Sequence, residues 1–268
     1  MVKSNYFASK PIKLSKSIFN LYQYNVIDLN KTSGIVTEDG CQEFMFVKQE
    51  NVWLKFHGRH PIKVPPAFSL GKNKSPSKFQ CSEKIDYFSV KLQPWVTRHF
   101  FPSDVINGLI DLTSIYGSKI ETLRSEVFNS TSFVQMIEKV EAFFSNIEMP
   151  NPDNYKLAME ICRKIYHSKG MISVKELVKE FSHSRQKINQ YFLHQTKYSV
   201  KEFAVFVKIS EAIKFKQENP AISLTELAHQ FGYFDQSHFN HDIKRVTGVT
   251  PTFLFSNKNF IKEQLKKA

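Results

Sequence analysis

The sequence predicts a two-part α+β protein: a small antiparallel β-barrel or sandwich with trailing helices, then an all-α half of about seven helices. Three observations predict it. From about Ser17 to Leu92 short β-branched and aromatic-rich runs are separated by turn residues, as strands require. After Gln93-Pro94 the period lengthens to three and four, the spacing of amphipathic helices. Beyond residue 150 a helical segment recurs about 50 residues further on.

In the first part the clearest strands are Glu43 to Val47, Val52 to Phe56, Ala67 to Leu70 and Tyr87 to Leu92. In the last, Phe88, Val90 and Leu92 alternate with Tyr87, Ser89 and Lys91, which reads as a strand buried on one face. Asp39-Gly40, Gly58, Pro65-Pro66 and Gly71 to Ser77 supply the turns. Val105 to Tyr116 and Phe133 to Phe144 read as helices. The segment 148–154 holds two prolines and cannot continue a helix, so the domains are placed at 1–147 and 155–257 with a linker at 148–154. A basic tail follows at 258–268.

Seven helical segments follow: Tyr155 to His167, Ser173 to Phe181, Ser184 to Phe192, Val200 to Gln217, Ser223 to Phe231, Asp235 to Val246 and Pro251 to Phe255. Ser173 with Glu176, and Ser223 with Glu226, match the capping box, in which a hydroxyl and a carboxylate satisfy two orphan amides. Thr250-Pro251 gives a cap followed by proline at the first helical position.

The net charge is +12, and residues 150–268 hold 19 basic and 11 acidic side chains against 18 and 14 in residues 1–149. That excess suits an anionic partner and lies mainly in the helical half. Cys41, Cys81 and Cys162 are too scattered for a disulfide framework or a zinc ribbon. The polar, Lys-dotted opening and the lack of a long apolar run argue against secretion and membrane insertion. A cytoplasmic protein is expected.

Leu177 to Phe181 recurs as Leu227 to Phe231, and Ile188 and Phe192 recur as Phe239 and Ile243, with one extra residue in the second turn. Each copy pairs a short apolar helix with a second one, burying Leu177, Phe181, Ile188 and Phe192, or Leu227, Phe231, Phe239 and Ile243. This is a helix-turn-helix pattern. The second helices turn Arg185, Gln186, Asn189 and Gln190, or Gln236, Ser237, Asn240 and His241, toward solvent. Arg, Asn and Gln can make paired hydrogen bonds to base edges in the major groove. Paired amphipathic helices also build bundles with polar outer faces, so duplication, local charge and amide-rich helices must be taken together.

The run Leu227-Ala-x-x-Phe-Gly-Tyr-Phe-Asp-Gln-Ser-His-Phe239, continued by Ile243-Lys-Arg-x-x-Gly248-x-Thr-Pro251, resembles the signature of the AraC/XylS transcription regulators. The resemblance covers about residues 154–257, with Phe203, Lys208, Ile209 and Ala212 at matching positions. It implies a bacterial transcription regulator with two helix-turn-helix units about one DNA turn apart, each placing its second helix in the major groove. Gln186, Asn189, Gln190, Ser237, Asn240 and His241 match the family's base-contacting positions; Arg185 and Gln236 are added from the exposed faces. Lys187, Lys197, Lys244 and Arg245 are the expected phosphate contacts. Val178 departs from the usual Ala, Ser182 from the Gly of copy two, Ile243 from a common Phe, and His241 from a frequent Arg. That last change shifts the expected specificity toward the first unit.

The N-terminal half, through Gly40-Cys-Gln-Glu-Phe-Met-Phe46, Leu70-Gly71 and Leu92-Gln-Pro-Trp95, resembles the barrel that precedes this module in a subset of the family. It implies a sensor or dimerisation domain. The expected partners are promoter DNA, RNA polymerase, a small-molecule effector and a second copy of the chain, with no membrane.

Other chemistry is weakly supported. His57-x-x-His60 with His99 suggests a cupin-like metal site only by nonspecific spacing, and no metal or cofactor is expected. No nucleophile elbow, zincin or phosphate-loop motif is present, so no catalytic residue is assigned. The alternatives are a DNA-binding module fused to a cysteine alkyl-transfer repair domain, with Cys41 in a strand and Cys81 in a polar turn, or to a metal-binding barrel. Trp53, Phe56 and Tyr87 suggest an apolar effector pocket or simply core.

Overall fold

The computed structural model describes residues 6–9, 18–26, 35–36, 39–56, 60–71, 77–81, 85–101, 108–147 and 151–256. The expected linker residues 148–150, the tail 258–268, His57, Gly58 and the start of the segment 105–116 lie outside the described residues. The chain divides into two compact units, one of residues 1–34, 41–73 and 77–155, the other of residues 35–40, 74–76 and 156–268.

The strands are β1 (Tyr6–Ser9), β2 (Ile18–Val26), β3 (Ile35–Val36), β4 (Glu43–Val47), β5 (Val52–Phe56), β6 (Ile62–Lys63), β7 (Ala67–Leu70), β8 (Ser77–Cys81), β9 (Ile85–Leu92) and β10 (Leu109–Asp111). One six-stranded sheet runs β1-β2-β9-β4-β7-β10 with antiparallel neighbours. In a second sheet β8, β5 and β6 are neighbours in that order, also antiparallel. Four helices accompany them: α1 (Thr97–Phe100), α2 (Thr113–Tyr116), α3 (Ser118–Asn129) and α4 (Phe133–Ser145).

The aromatic core of this unit follows from register. Phe44 and Phe46 of β4 stand opposite Val90 and Phe88 of β9, and all four are fully buried. Phe44 packs on Phe101 and on Phe144 of α4 with ring centroids 5.3 Å apart in each case. On α3, Arg124 donates to the carbonyls of Val47 and Lys48 at 2.8 and 2.9 Å, which fastens the helix to the end of β4.

Several expectations are corrected here. β9 is buried on both faces rather than one. Lys91, only 1% exposed, pairs with Glu43 directly opposite it on β4, Nζ to carboxylate 3.4 Å, and the Tyr87 hydroxyl donates to the same carboxylate at 3.3 Å. A charge is tolerated in such a place only when paired. The segment 105–116 is not one helix: Leu109–Asp111 pairs with β7 as β10, and only Thr113–Tyr116 is helical. Cys41 precedes β4 rather than lying in it, and Cys81 ends β8 instead of sitting in a turn. Trp53 and Phe56 point to opposite sides of β5, Trp53 being 41% exposed and Phe56 buried, so they share no pocket. His60 and His99 are exposed, and no group of three His, Cys, Asp or Glu among the described residues could hold a metal ion.

The second unit is helical throughout its described part beyond residue 156: α5 (Lys156–His167), α6 (Val174–Phe181), α7 (Arg185–Thr196), α8 (Val200–Glu218), α9 (Leu224–Gln230), α10 (Gln236–Thr247) and α11 (Pro251–Ser256). The starts are set by local chemistry. Ser173 with Glu176 and Ser223 with Glu226 form complete capping boxes, as does Ser199 with Glu202 at α8. No helix among the described residues is long and apolar enough to cross a membrane.

Candidate nucleic-acid interface

Two helix pairs, α6 with α7 and α9 with α10, pack about the connecting helix α8. The expected core residues Leu177, Ile188, Phe192, Leu227, Phe231, Phe239 and Ile243 are buried. Phe181, the last residue of α6, is the exception and is half-buried. Both turns leave the first helix through left-handed backbone, at Ser182 (φ 52°) in copy one and Gly232 (φ 70°) in copy two.

The duplication extends further than the sequence reading took it. Thr196 and Thr247, 51 residues apart, end α7 and α10 alike: each is buried and donates its hydroxyl to the carbonyl four residues back, at 2.9 and 2.8 Å. Lys197 and Gly248 follow as matching left-handed caps (φ 70° and 74°). The repeated Thr was the signal that pointed to it.

Along α7, Arg185, Gln186 and Gln190 are exposed and Asn189 is half-buried, its side-chain amide donating to the Arg185 carbonyl at 3.1 Å. Ser184 caps this helix by accepting from the Lys187 amide. Along α10, Ser237 and His241 are exposed, whereas Gln236 and Asn240 are half-buried. The expected all-solvent face is thus corrected at three positions. Gln236 is engaged by Thr225 of α9, whose hydroxyl donates to its side-chain carbonyl at 2.7 Å. The Asn240 side-chain oxygen is buried without a hydrogen-bond partner.

Of the expected phosphate contacts, Lys187 and Lys244 are exposed and Lys197 is half-buried at its cap. Arg245 is drawn back along its own helix, with Nε and Nη2 3.3 and 3.2 Å from one Asp242 oxygen.

Asp242 is the centre of a node that sequence reasoning missed. It is 6% exposed and accepts a hydrogen bond from the Tyr233 hydroxyl at 3.1 Å. The Lys208 ammonium of α8 lies 5.0 Å from the centre of the Tyr233 ring, a cation–π distance. Burial pulls the Lys208 pKa down while Asp242 acts the other way. Burial first, then Asp242, pushes the Tyr233 phenol far up, so it stays a donor. The node therefore fixes α10 to the connecting helix α8. Residues nine to thirty-four apart in sequence make it, and no local pattern announces it.

Gly170 sets the other side. Its φ is +75°, and a Cβ there would lie 2.6 Å from the Lys208 backbone nitrogen, closer still to the Ala204 carbonyl oxygen. The turn after α5 thus seats directly on the backbone of α8.

Two helix pairs with capped, polar second helices on a shared connecting helix define a helix-turn-helix protein. A family model described as a helix-turn-helix domain matches residues 177–257. Residues 177–257 of the second unit are thus a helix-turn-helix domain. The chain is 26% identical over 116 residues to the Msm operon regulatory protein of Streptococcus mutans, a match spanning 42% of this chain and 41% of that relative. Among solved structures, ToxT from Vibrio cholerae aligns with 14% identity and a TM-score of 0.46 over 95% of this chain and 98% of that one. The AraC-like transcriptional activator CuxR aligns with 8% identity and a TM-score of 0.27 over 91% of this chain and 74% of that one.

Proposed function

We propose that this chain is a sequence-specific transcription regulator that grips promoter DNA in two successive major grooves, one with α7 and one with α10. The observation that carries the reading is the duplicated, equally capped helix pair around one connecting helix, each second helix bearing forked polar side chains. Arg185, Gln186, Asn189, Gln190, Ser237 and His241 read bases. Gln236 and Asn240 take part once their side chains turn outward from Thr225 and from the helix interior. Lys187, Lys197 and Lys244 contact phosphates, as does Arg245 after partial release from Asp242. The first unit presents more fully exposed reading groups and supplies more of the specificity. The β-rich unit serves as sensor or dimerisation domain, coupling an effector or a second copy to the promoter complex with RNA polymerase. The protein works in the cytoplasm and is not an enzyme.

The test is binding to sites selected from genomic fragments. Replacing Gln190 and Asn240 with Ala is expected to weaken binding to the selected site more than to random DNA, because base contacts carry specificity and phosphate contacts do not. Affinity is expected to fall steeply between low and physiological salt. Equal losses on both DNAs, or a flat salt dependence, refute the reading.

A further inference from the structure

Phe234 is the most exposed large apolar side chain among the described residues, at 91%; the others of its kind range from 39% to 63%. It lies in the turn of the second helix pair, immediately before Asp235, the cap of α10. Both flanks are fixed. On one side Gly232 takes a left-handed turn and Tyr233 is buried, its hydroxyl on Asp242. On the other, the Asp235 carboxylate accepts from the His238 amide at 2.7 Å. The ring thus stands out of the domain on a turn anchored at both flanks.

Its place is the entry end of a recognition helix, the end whose first residues meet base edges when such a helix enters the major groove. Ser237, exposed one turn further on, is on the reading stripe. In that groove each A·T pair displays one apolar group, the thymine 5-methyl, and a phenyl ring is among the side chains that contact it. We infer that Phe234 is a specificity-determining residue that packs on a thymine methyl at the edge of the second half-site. This rests on the proposed two-groove reading. It adds an apolar contact to a unit whose half-buried Gln236 and Asn240 leave fewer polar ones.

The experiment uses the full chain and a duplex carrying its selected site, with each thymine of the second half-site replaced singly by deoxyuridine, which deletes only the methyl. One substitution is expected to weaken wild-type binding about four-fold, the effect of one buried carbon group. Phe234→Ala is expected to lose at least as much on the thymine duplex and to be indifferent to deoxyuridine at that one position. Phe234→Leu should retain part of the methyl sensitivity. Circular dichroism checks that the variants keep the fold, as an exposed ring should allow. If no deoxyuridine affects the wild type, or if Phe234→Ala and deoxyuridine act additively, the inference is overturned. Unchanged DNA affinity of Phe234→Ala also overturns it and assigns the ring to a protein partner. Loss of preference for the selected site in the wild type itself would instead bring down the two-groove reading, and this inference with it.

Discussion

Replacing Gly170 with Ala puts one methyl group where the turn after α5 meets α8. Two costs add. The backbone at φ +75° disfavours an L side chain by about 1–2 kcal/mol. The new Cβ would also press on the Ala204 carbonyl and the Lys208 amide, backbone atoms of a 19-residue helix that cannot give locally, and overpacking of this kind costs about 1–3 kcal/mol. The smaller unfolded-state entropy of Ala returns about 0.4–1 kcal/mol, leaving a net loss of about 2–4 kcal/mol. Gly232→Ala is the control, since φ is +70° there but nothing lies within 4 Å of the added carbon; only the backbone cost remains, about 1 kcal/mol net. Urea unfolding of the full chain, followed by helical circular dichroism, gives both values from the shift in midpoint at constant slope. If Gly170→Ala proved no more destabilising than Gly232→Ala, the close approach to α8 would not be a constraint and the seating argument would fail.

Two further outcomes follow from the helical unit. Tyr233→Phe removes the donor to a buried carboxylate and should cost about 1.5–3 kcal/mol, with much less than additive loss when combined with Asp242→Asn; additive losses would show that the two groups do not act as a pair. Glu176 and Glu226 have pKa values held below the ordinary glutamate value, Glu176 chiefly by the Ser173 hydrogen bonds and Glu226 by those of Ser223. Because the folded-state pKa is lowered, their contribution is present above the ordinary value of about 4.3 and is lost as pH falls through the folded-state value. Acid titration of the two carboxylates by NMR should therefore show both protonating below pH ~4.3, and titration above it would contradict the capping-box geometry.

The helical half was legible because its signals are local. Ser173, Ser184, Ser223 and Asp235 each sit one residue before the helix they cap, and a cap needs only the next three residues to act. The β-rich half was less legible because its decisive partners are distant. Ser-Val-Lys-Leu in β9 reads as half-polar until Glu43 is brought opposite Lys91 by strand pairing. Leu109–Asp111 has helical spacing on both sides, and only its register with Phe68–Leu70 makes it a strand. On α7, the exposure of Arg185, Gln186 and Gln190 was readable from periodicity. The tethering of Gln236 by Thr225, and of Arg245 by Asp242, depended on side chains that periodicity does not place.

The left-handed residues divide the two copies energetically. The positive-φ non-glycine residues among those described are Lys169, Ser182 and Lys197, all beside the first helix pair, while the corresponding turns of the second carry Gly232 and Gly248. The first pair thus bears strain in its folded form, and the second bears extra freedom in its unfolded form. Substitutions in the two turns consequently have opposite sign. A change to glycine at Ser182 relieves a cost, whereas a change away from glycine at Gly232 creates one. Room for stabilising change lies in the first helix pair, whose second helix presents the exposed Arg185, Gln186 and Gln190, so its turns can gain stability without touching those side chains.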